Sequence, residues 1–256
     1  KKLSLTERTS FVGDSTMKRL FDAAVRKCPE NNKFSKFGKL HDNINFQCKD
    51  IEYNYIWSSG FDDTSKKLLS IVDNSYVVFN TGHNYINMND EDFERFVIRL
   101  KESTVKLRKW ILIAPPASNA KAWTPDMRCM RNNVIVQKRI DIILKHFTAK
   151  NVIEMFWKTL QSGKAIDGIH YTNEVYDETF DNICQKMSEN VLSTAATVQK
   201  KDGFVFLMFL NDAYLEMTKS FICHQPTLLK QTIFVTTSRQ LTEQLQAWNP
   251  AITVLT

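Results

Sequence analysis

The segment FVGDS, residues 11–15, ends an apolar run at a glycine and follows it directly with an acid and a serine. A buried strand that breaks at Gly13 would deliver Ser15 to the carboxyl edge of a parallel sheet, where binding crevices form. Ser15 would also begin a helix, whose first backbone amides stabilise negative charge on a substrate oxygen. The segment therefore predicts an α/β fold that presents a serine nucleophile at one edge of its sheet.

Residues 1–192 repeat this change from strand to helix and are predicted to form the first domain. Short segments rich in branched and aromatic residues alternate with longer stretches of helical periodicity, which is typical of βαβ units. Residues 51–57 alternate apolar side chains, which favours a half-covered edge strand. We predict a five-stranded parallel sheet, with strands at 10–13, 51–57, 76–80, 110–114 and 152–156.

The pattern changes after Leu192. Residues 193–203 lack an apolar stripe and are predicted to be a linker. The remaining residues, 204–256, number about 50, which is too few for a complete α/β domain. We therefore predict a partial second α/β unit, either docked on the first sheet or truncated, with strands at 204–210, 232–236 and 252–255 and helices at 212–223 and 239–248.

Composition limits the classes of function. The chain has 256 residues, of which 43% are hydrophobic and 24% charged, enough to bury one sizeable core. Its apolar runs are far shorter than the roughly 18 residues that cross a bilayer, so we expect no direct membrane contact in this region. The net charge of +6 comes from Lys and Arg scattered along the predicted helices, which favours solvated helix surfaces over a nucleic-acid partner.

The cysteines do not indicate a metal site. They show neither a C-x-x-C spacing nor a nearby histidine pattern, and we expect no metal and no bound cofactor. In an oxidising compartment some would pair and an odd one would remain, whereas in the cytosol all would be buried thiols. The five are Cys28, Cys48, Cys129, Cys184 and Cys223.

A candidate base for Ser15 follows the fifth predicted strand, in the segment Asp167-Gly168-Ile169-His170. A serine hydroxyl is a poor nucleophile until a base takes its proton, and histidine is the side chain suited to this near neutral pH. Asp167 precedes His170 by three residues, a spacing that lets its carboxylate fix the imidazole tautomer. Each segment alone is also a common turn sequence, but together they predict a serine, histidine and aspartate triad.

Hydrogen-bond donors for an oxyanion are predicted from three places. They are the Ser15 backbone amide, the Asn84 side chain after the third strand, and the amide of Gly60 after the second. His83 would support the oxyanion loop, bind substrate or serve a structural role. Trp123 and the Pro-Pro loop at 114–118 would line an acceptor site or form a rigid loop without a catalytic part.

These motifs resemble those of the SGNH (GDSL-type) hydrolase superfamily. Within it they are similar to the PC-esterase group, which includes the plant trichome-birefringence-like polysaccharide acetyltransferases, the NXPE-type proteins and the animal sialate O-acetyltransferase. Residues 11–15 match the nucleophile block, 77–83 resemble the Asn-Thr-Gly-His block, 82–84 satisfy Gly-x-Asn, and 167–170 match Asp-x-x-His. The resemblance covers about residues 9–192.

The resemblance implies a flavodoxin-like three-layer α/β/α sandwich, the SGNH hydrolase fold. It assigns Ser15 as nucleophile, His170 as base and Asp167 as the residue that orients it. The implied activity is that of a serine esterase or O-acetyltransferase acting on acyl, and specifically acetyl, esters of glycan hydroxyls, with acetyl-CoA as one possible acyl donor. The implied location is the Golgi lumen or the secretory pathway.

The chain also departs from the plant enzymes. They carry tryptophans after the Gly-His where this chain has Asn84-Tyr85, and Trp-Cys after the Asp-x-x-His where it has Tyr171-Thr172. Xylan and pectin are therefore not indicated as substrates. Two other functions remain open: a non-catalytic glycan-binding domain with the same fold, and the front part of a bifunctional glycosyltransferase, because residues 204–256 faintly resemble the start of nucleotide-diphospho-sugar transferases.

Overall fold

The computed structural model divides the chain into two compact units, Lys1–Lys186 and Met187–Thr256. The residues that it describes are 7–30, 39, 41–49, 51–71, 76–82, 88–107, 109–119, 132–162, 165–199, 205–236, 238–249 and 252–256. In this part of the chain no helix is both long enough and apolar enough to span a bilayer.

The first unit is built on a mixed, mostly parallel sheet of six strands in the order β2-β3-β1-β4-β5-β6. Every neighbouring pair is parallel except β2 with β3, which is antiparallel. The strands are β1 (Glu7–Gly13), β2 (Ile44–Cys48), β3 (Ile51–Trp57), β4 (Tyr76–Asn80), β5 (Lys109–Ala114) and β6 (Val152–Glu154). The helices between and after them are α1 (Ser15–Lys27), α2 (Phe61–Ser70), α3 (Asp90–Ser103), α4 (Asn133–His146), α5 (Phe156–Ser162) and α6 (Asn173–Gln199).

Strands β4 and β5 follow the sequence prediction closely because most of their side chains are buried. All five residues of β4 are buried, and so are the last four of β5. Aromatic side chains of α1, β1 and β3 fill the layer next to β1, where Phe11 lies 6.2 Å from Phe21 and 6.3 Å from Tyr53 between ring centroids. Continuous apolar runs of this kind are typical of strands covered on both faces.

The predicted five-stranded parallel sheet is not confirmed, because a sixth strand, β2, pairs antiparallel with β3. Residues 51–57 therefore form an inner strand, and their prediction as an edge strand is wrong. The β2 segment alternates apolar residues at Ile44, Phe46 and Cys48 with polar ones, which is typical of a half-buried strand, so its absence from the predicted sheet is an error of the prediction. β6 is also shorter than predicted, because α5 already begins at Phe156.

A disulfide joins Cys28, at the end of α1, to Cys48, at the end of β2. Their Cα atoms lie 5.8 Å apart, and both residues are buried. The bridge attaches the antiparallel edge strand to the helix that begins at Ser15. The sequence left open whether the cysteines are paired or are buried thiols, and this pair is oxidised.

The second unit contains a three-stranded parallel sheet in the order β7-β8-β9. Its elements are β7 (Phe206–Leu210), α7 (Leu215–His224), α8 (Pro226–Leu229), β8 (Thr232–Thr236), α9 (Arg239–Trp248) and β9 (Thr253–Leu255). β8 and α9 have the predicted bounds. The segment 193–199, predicted as the start of a linker, is helical because α6 continues through it. Phe234, Leu241 and Leu245 form the centre of this unit's core.

Candidate active site

The turn that carries Ser15 joins the end of β1 to the start of α1. Asp14 caps the helix, and its Oδ1 accepts a hydrogen bond from the Thr16 amide at 2.9 Å. Gly13 has a φ of +153°, and a Cβ atom there would collide with the side chains of Asn80 and Met17. Only glycine fits this close approach without strain. The glycine of the FVGDS segment is therefore required by the turn itself.

Asp14 also binds the neighbouring strand. The side-chain amide of Asn80, the last residue of β4, donates to Asp14 Oδ1 at 2.8 Å. Asn80 is only 6% exposed, so this bond lies inside the protein. β1 and β4 are already parallel neighbours, and their last paired residues are Val12 and Phe79. The hydrogen bond continues the pairing past the strand ends and fixes the serine turn against β4.

Tyr55 of β3 supports the same turn from the other neighbouring strand. Its hydroxyl donates to the backbone carbonyls of Gly13 at 3.4 Å and Asp14 at 3.3 Å. Burial, followed by the charges of Asp14 and Asp22, raises the pKa of Tyr55 well above its ordinary value. The hydroxyl therefore stays protonated and serves as a hydrogen-bond donor.

A buried ion pair lies in the first turns of α1. Lys18 Nζ contacts Asp22 Oδ1 at 2.6 Å, and the two residues are 5% and 6% exposed. The ammonium group also lies 5.5 Å from the centre of the Phe21 ring and 5.9 Å from that of Tyr55. Loss of one partner would leave an uncompensated buried charge next to the serine turn.

The structure brings Ser15, His170 and Asp167 together. Ser15 Oγ lies 2.6 Å from His170 Nε2, although the two residues are 155 positions apart. His170 Nδ1 lies 2.6 Å from Asp167 Oδ2. An imidazole that donates from Nδ1 to a carboxylate keeps Nε2 free to accept the serine proton. The three side chains therefore form a continuous hydrogen-bonded chain.

Local backbone geometry holds Asp167 beside the imidazole. Its Oδ1 accepts hydrogen bonds from the amides of His170 at 2.9 Å and Ile169 at 3.4 Å, while Oδ2 contacts the ring. Gly168 between them has a φ of +98°, a conformation that favours glycine. Burial raises the pKa of Asp167, but the hydrogen bonds from His170 outweigh it, and the pKa lies below its ordinary value. Asp167 is therefore ionised at neutral pH.

Gly60 lies in the cleft next to the serine turn. Its carbonyl is 2.9 Å from the hydroxyls of both Ser58 and Thr64, which lie 2.6 Å from each other. The Ser58 amide in turn donates to the Gly13 carbonyl at 3.0 Å. These bonds tie the Gly60 loop to the serine turn. The described residues that line the cleft are Asp14, Ser58, Ser59, Gly60, Thr64, Asn80, Thr81 and Gly82.

Several donors near this cleft lack partners within the described part of the chain. The amides of Ser15 and Gly60 donate no hydrogen bond to another described residue. Thr81 is 2% exposed, and its hydroxyl is likewise unpaired among those residues. Unsatisfied amides at a helix start bind anionic oxygens well.

The other predicted site residues lie outside the described residues. They are Asn84, proposed for the oxyanion, and the substrate-binding candidates His83 and Trp123. Among the described residues there is no group of three His, Cys, Asp or Glu side chains arranged to bind a metal.

Asn80 and Tyr55 were missed as candidate site residues. Asn80 belongs to the segment that resembles the Asn-Thr-Gly-His block, but no role of its own was predicted for it, although a polar residue that closes a fully buried strand beside β1 is a usable signal. Tyr55 carries no such signal, because its role depends on the register that pairs it with Phe11.

Comparison with protein-family models finds no family that matches this chain, and comparison with curated proteins finds no significant match. The resemblance to SGNH hydrolases therefore stays a prediction from short sequence motifs.

Proposed function

We propose that this protein is a serine esterase or O-acetyltransferase that acts on acyl, and specifically acetyl, esters of glycan hydroxyls. The observation that carries the proposal is the chain of contacts from Ser15 Oγ through His170 to Asp167, with 2.6 Å at each step. A serine paired with a base that is itself oriented by a third group is the arrangement of nucleophilic catalysis. The α/β sheet is consistent with the flavodoxin-like α/β/α fold of SGNH hydrolases.

In the proposed reaction, Ser15 Oγ attacks the carbonyl carbon of the acyl donor while His170 Nε2 takes the hydroxyl proton. The tetrahedral oxyanion accepts hydrogen bonds from the Ser15 and Gly60 amides. Collapse breaks the bond to the leaving group, which receives the proton from His170, and leaves an acyl ester on Ser15. Asp167 stabilises the imidazolium at both stages because its lowered pKa keeps it ionised.

A second half-reaction releases the acyl group. His170 takes a proton from the incoming hydroxyl as its oxygen attacks the acyl carbonyl carbon. The bond from that carbon to Ser15 Oγ then breaks, and His170 returns the proton to Ser15 Oγ. Water as the attacking group gives hydrolysis, whereas a glycan hydroxyl gives transfer. The acyl donor, such as acetyl-CoA or an acetylated glycan, enters only the first half-reaction.

The disulfide supports a location in the secretory pathway, such as the Golgi lumen. Cys28 and Cys48 are buried and bonded to each other, and such bonds persist in oxidising compartments.

A fluorophosphonate probe tests the nucleophile. The wild-type protein should be labelled at Ser15, and Ser15→Ala should lose the label because only an activated serine reacts with the probe. Ser10→Ala changes a buried serine of β1, the strand that precedes Ser15, and serves as the control that should keep the label. Labelling of Ser15→Ala at the wild-type rate would contradict the assignment and favour a non-catalytic glycan-binding domain.

The substrate class is tested by incubation with acetyl-CoA or acetylated glycans from a panel. We expect mass analysis to detect acetyl groups gained or lost by a glycan, dependent on Ser15. If Ser15 is labelled but no glycan gains or loses an acetyl group, the assignment of Ser15 as nucleophile stands and the assignment of a glycan substrate is contradicted.

A further inference from the structure

The loop after β5, residues 115–119, is buried against the segment that carries His170. Ala117 is 1% exposed and Ser118 4%. The loop lies at the carboxyl end of a parallel strand, which is the same edge of the sheet as the serine turn. Its contacts therefore bear on the position of the proposed base.

Two hydrogen bonds join this loop to the base segment on either side of His170. The Tyr171 hydroxyl donates to the Ala117 carbonyl at 2.6 Å, and the Asn119 amide donates to the Gly168 carbonyl at 2.8 Å. A third bond, from the Ile166 amide to the His170 carbonyl at 2.6 Å, closes the base segment on itself. The backbone around His170 is thus held at Tyr171, which follows it, and at Gly168, which precedes it by two positions.

The loop is itself anchored to two helices. The Ala117 amide donates to Thr159 Oγ1 of α5 at 2.8 Å, and the Ser118 amide donates to Asn133 Oδ1 of α4 at 2.7 Å. Thr159 is 1% exposed, so this anchor is shielded from water. A path of direct bonds therefore runs from α5 through Ala117 to Tyr171, the residue next to the base.

The base segment needs such support from outside. Asp167 has a side chain that is 52% exposed, and the turn contains Gly168, so the segment's own contacts leave it open to solvent on one side. Tyr171, in contrast, is 2% exposed, and burial raises the pKa of its hydroxyl, which stays protonated as a donor. The bond to Ala117 is thus a buried attachment beside a partly exposed turn.

We infer that Tyr171 is a positioning residue that, through its hydrogen bond to the Ala117 carbonyl, holds the His170 imidazole in reach of Ser15 Oγ. The inference rests on the proposed function, because it assigns Tyr171 a role in proton transfer by His170. A displacement of about 1 Å at a reacting group costs on the order of a hundredfold in rate. Tyr171 touches no reacting atom, and it acts only through the backbone of its neighbour.

The test is Tyr171→Phe, which removes the hydroxyl and keeps the ring. We expect kcat for an aryl acetate and the rate of Ser15 labelling by a fluorophosphonate to fall by about tenfold. KM should be unchanged, because no substrate contact is lost. The matched control is Tyr76→Phe, a buried tyrosine at the opposite end of β4. It should label at the wild-type rate.

Variants of Thr159 separate positioning from folding. Thr159→Ser keeps the oxygen that accepts the Ala117 amide and should retain the wild-type labelling rate, whereas Thr159→Val should lower it. In the double variant with Tyr171→Phe, Thr159→Val should lower the labelling rate by a smaller factor than it does alone, because both changes loosen the same path of hydrogen bonds. Circular dichroism and melting curves give the folded fraction by which each rate is corrected.

The outcomes distinguish the two proposals. Labelling of Tyr171→Phe at the wild-type rate, or a loss explained by its folded fraction alone, overturns the positioning role and leaves the proposed function standing. A wild-type protein that is not labelled at Ser15 overturns the proposed function and, with it, this inference.

Discussion

The serine turn and the histidine segment are held in place in different ways. Ser15 follows a central strand, and the adjacent strands β3 and β4 both send a buried side chain to its turn, Tyr55 from one and Asn80 from the other. His170 lies in a segment without regular structure, which is closed by its own bonds and is joined to the loop after β5. The nucleophile is thus fixed by strand register, whereas the base is fixed by contacts between loops. Four predictions test this difference, from the largest expected effect to the smallest.

His170→Ala removes the base itself and should have the largest effect. We expect turnover of an aryl acetate to fall by about a thousandfold, with the folded state retained, because the residual rate comes from binding and the oxyanion donors alone. His146 provides a matched control, since its Nε2 also contacts a carboxylate, that of Glu94, at 2.7 Å. His146→Ala should keep the rate. A near-wild-type rate for His170→Ala would remove this residue from the mechanism.

The next test breaks the anchor on the nucleophile side. Asn80→Ala deletes the donor to Asp14 Oδ1 and leaves a carboxylate with one bond fewer near the serine turn. A hydrogen bond to a charged group contributes about 1.5–3 kcal/mol. We expect about a tenfold lower labelling rate and a lower melting temperature. Asn54→Ala changes a buried asparagine in the middle of β3, and its rate per folded molecule should stay at the wild-type level.

An unchanged rate for Asn80→Ala would contradict the view that strand register fixes the nucleophile. It would indicate that the rate depends on the exact position of His170 and not on that of the serine turn.

Tyr55→Phe compares the two sides most directly, because it removes a tyrosine hydroxyl from the nucleophile turn. Its bonds measure 3.3 and 3.4 Å, longer than the 2.6 Å bond of Tyr171. We therefore expect about a twofold to threefold loss of labelling rate, smaller than for Tyr171→Phe. Parallel labelling of the two variants checks the ranking. The reverse order would show that the serine turn is the more sensitive of the two.

The dependence of the rate on pH should show no titration of Asp167 down to about pH 4. The pKa of Asp167 is lowered in the folded state, so this carboxylate stays charged as the pH falls past the ordinary aspartate value of about 3.9. Its contribution to stability is present above that value and is lost as the pH falls through the lowered pKa. Asp167 should therefore add no proton to the acid limb above that value. A rate profile measured from pH 8 to pH 4 tests this, and a titration of Asp167 within that range would contradict it.

The difference between the two sides also decides what the sequence predicts. The segments FVGDS and Asp167–His170 each contain the residues that shape their own turn, so their chemistry is readable from short motifs. Strand β2 also carries a readable local signal, because Ile44, Phe46 and Cys48 alternate with polar residues, and its omission from the predicted sheet was avoidable. The bond from Tyr171 to Ala117 joins residues 54 positions apart and depends on how two loops meet, which no local pattern records.

The hydrogen bond between Asp14 and Asn80 lies at a special point in the order of the strands. The chain leaves β1 and reaches β3 on one side of it, and then crosses to β4 on the other. Successive connections therefore run in opposite directions from the gap between β1 and β4, which is a topological switch point of the sheet. Open α/β sheets bind ligands in the crevice outside such a gap. The connectivity of the chain thus marks the gap between β1 and β4, and the hydrogen bond that crosses this gap joins two of the residues that line the cleft.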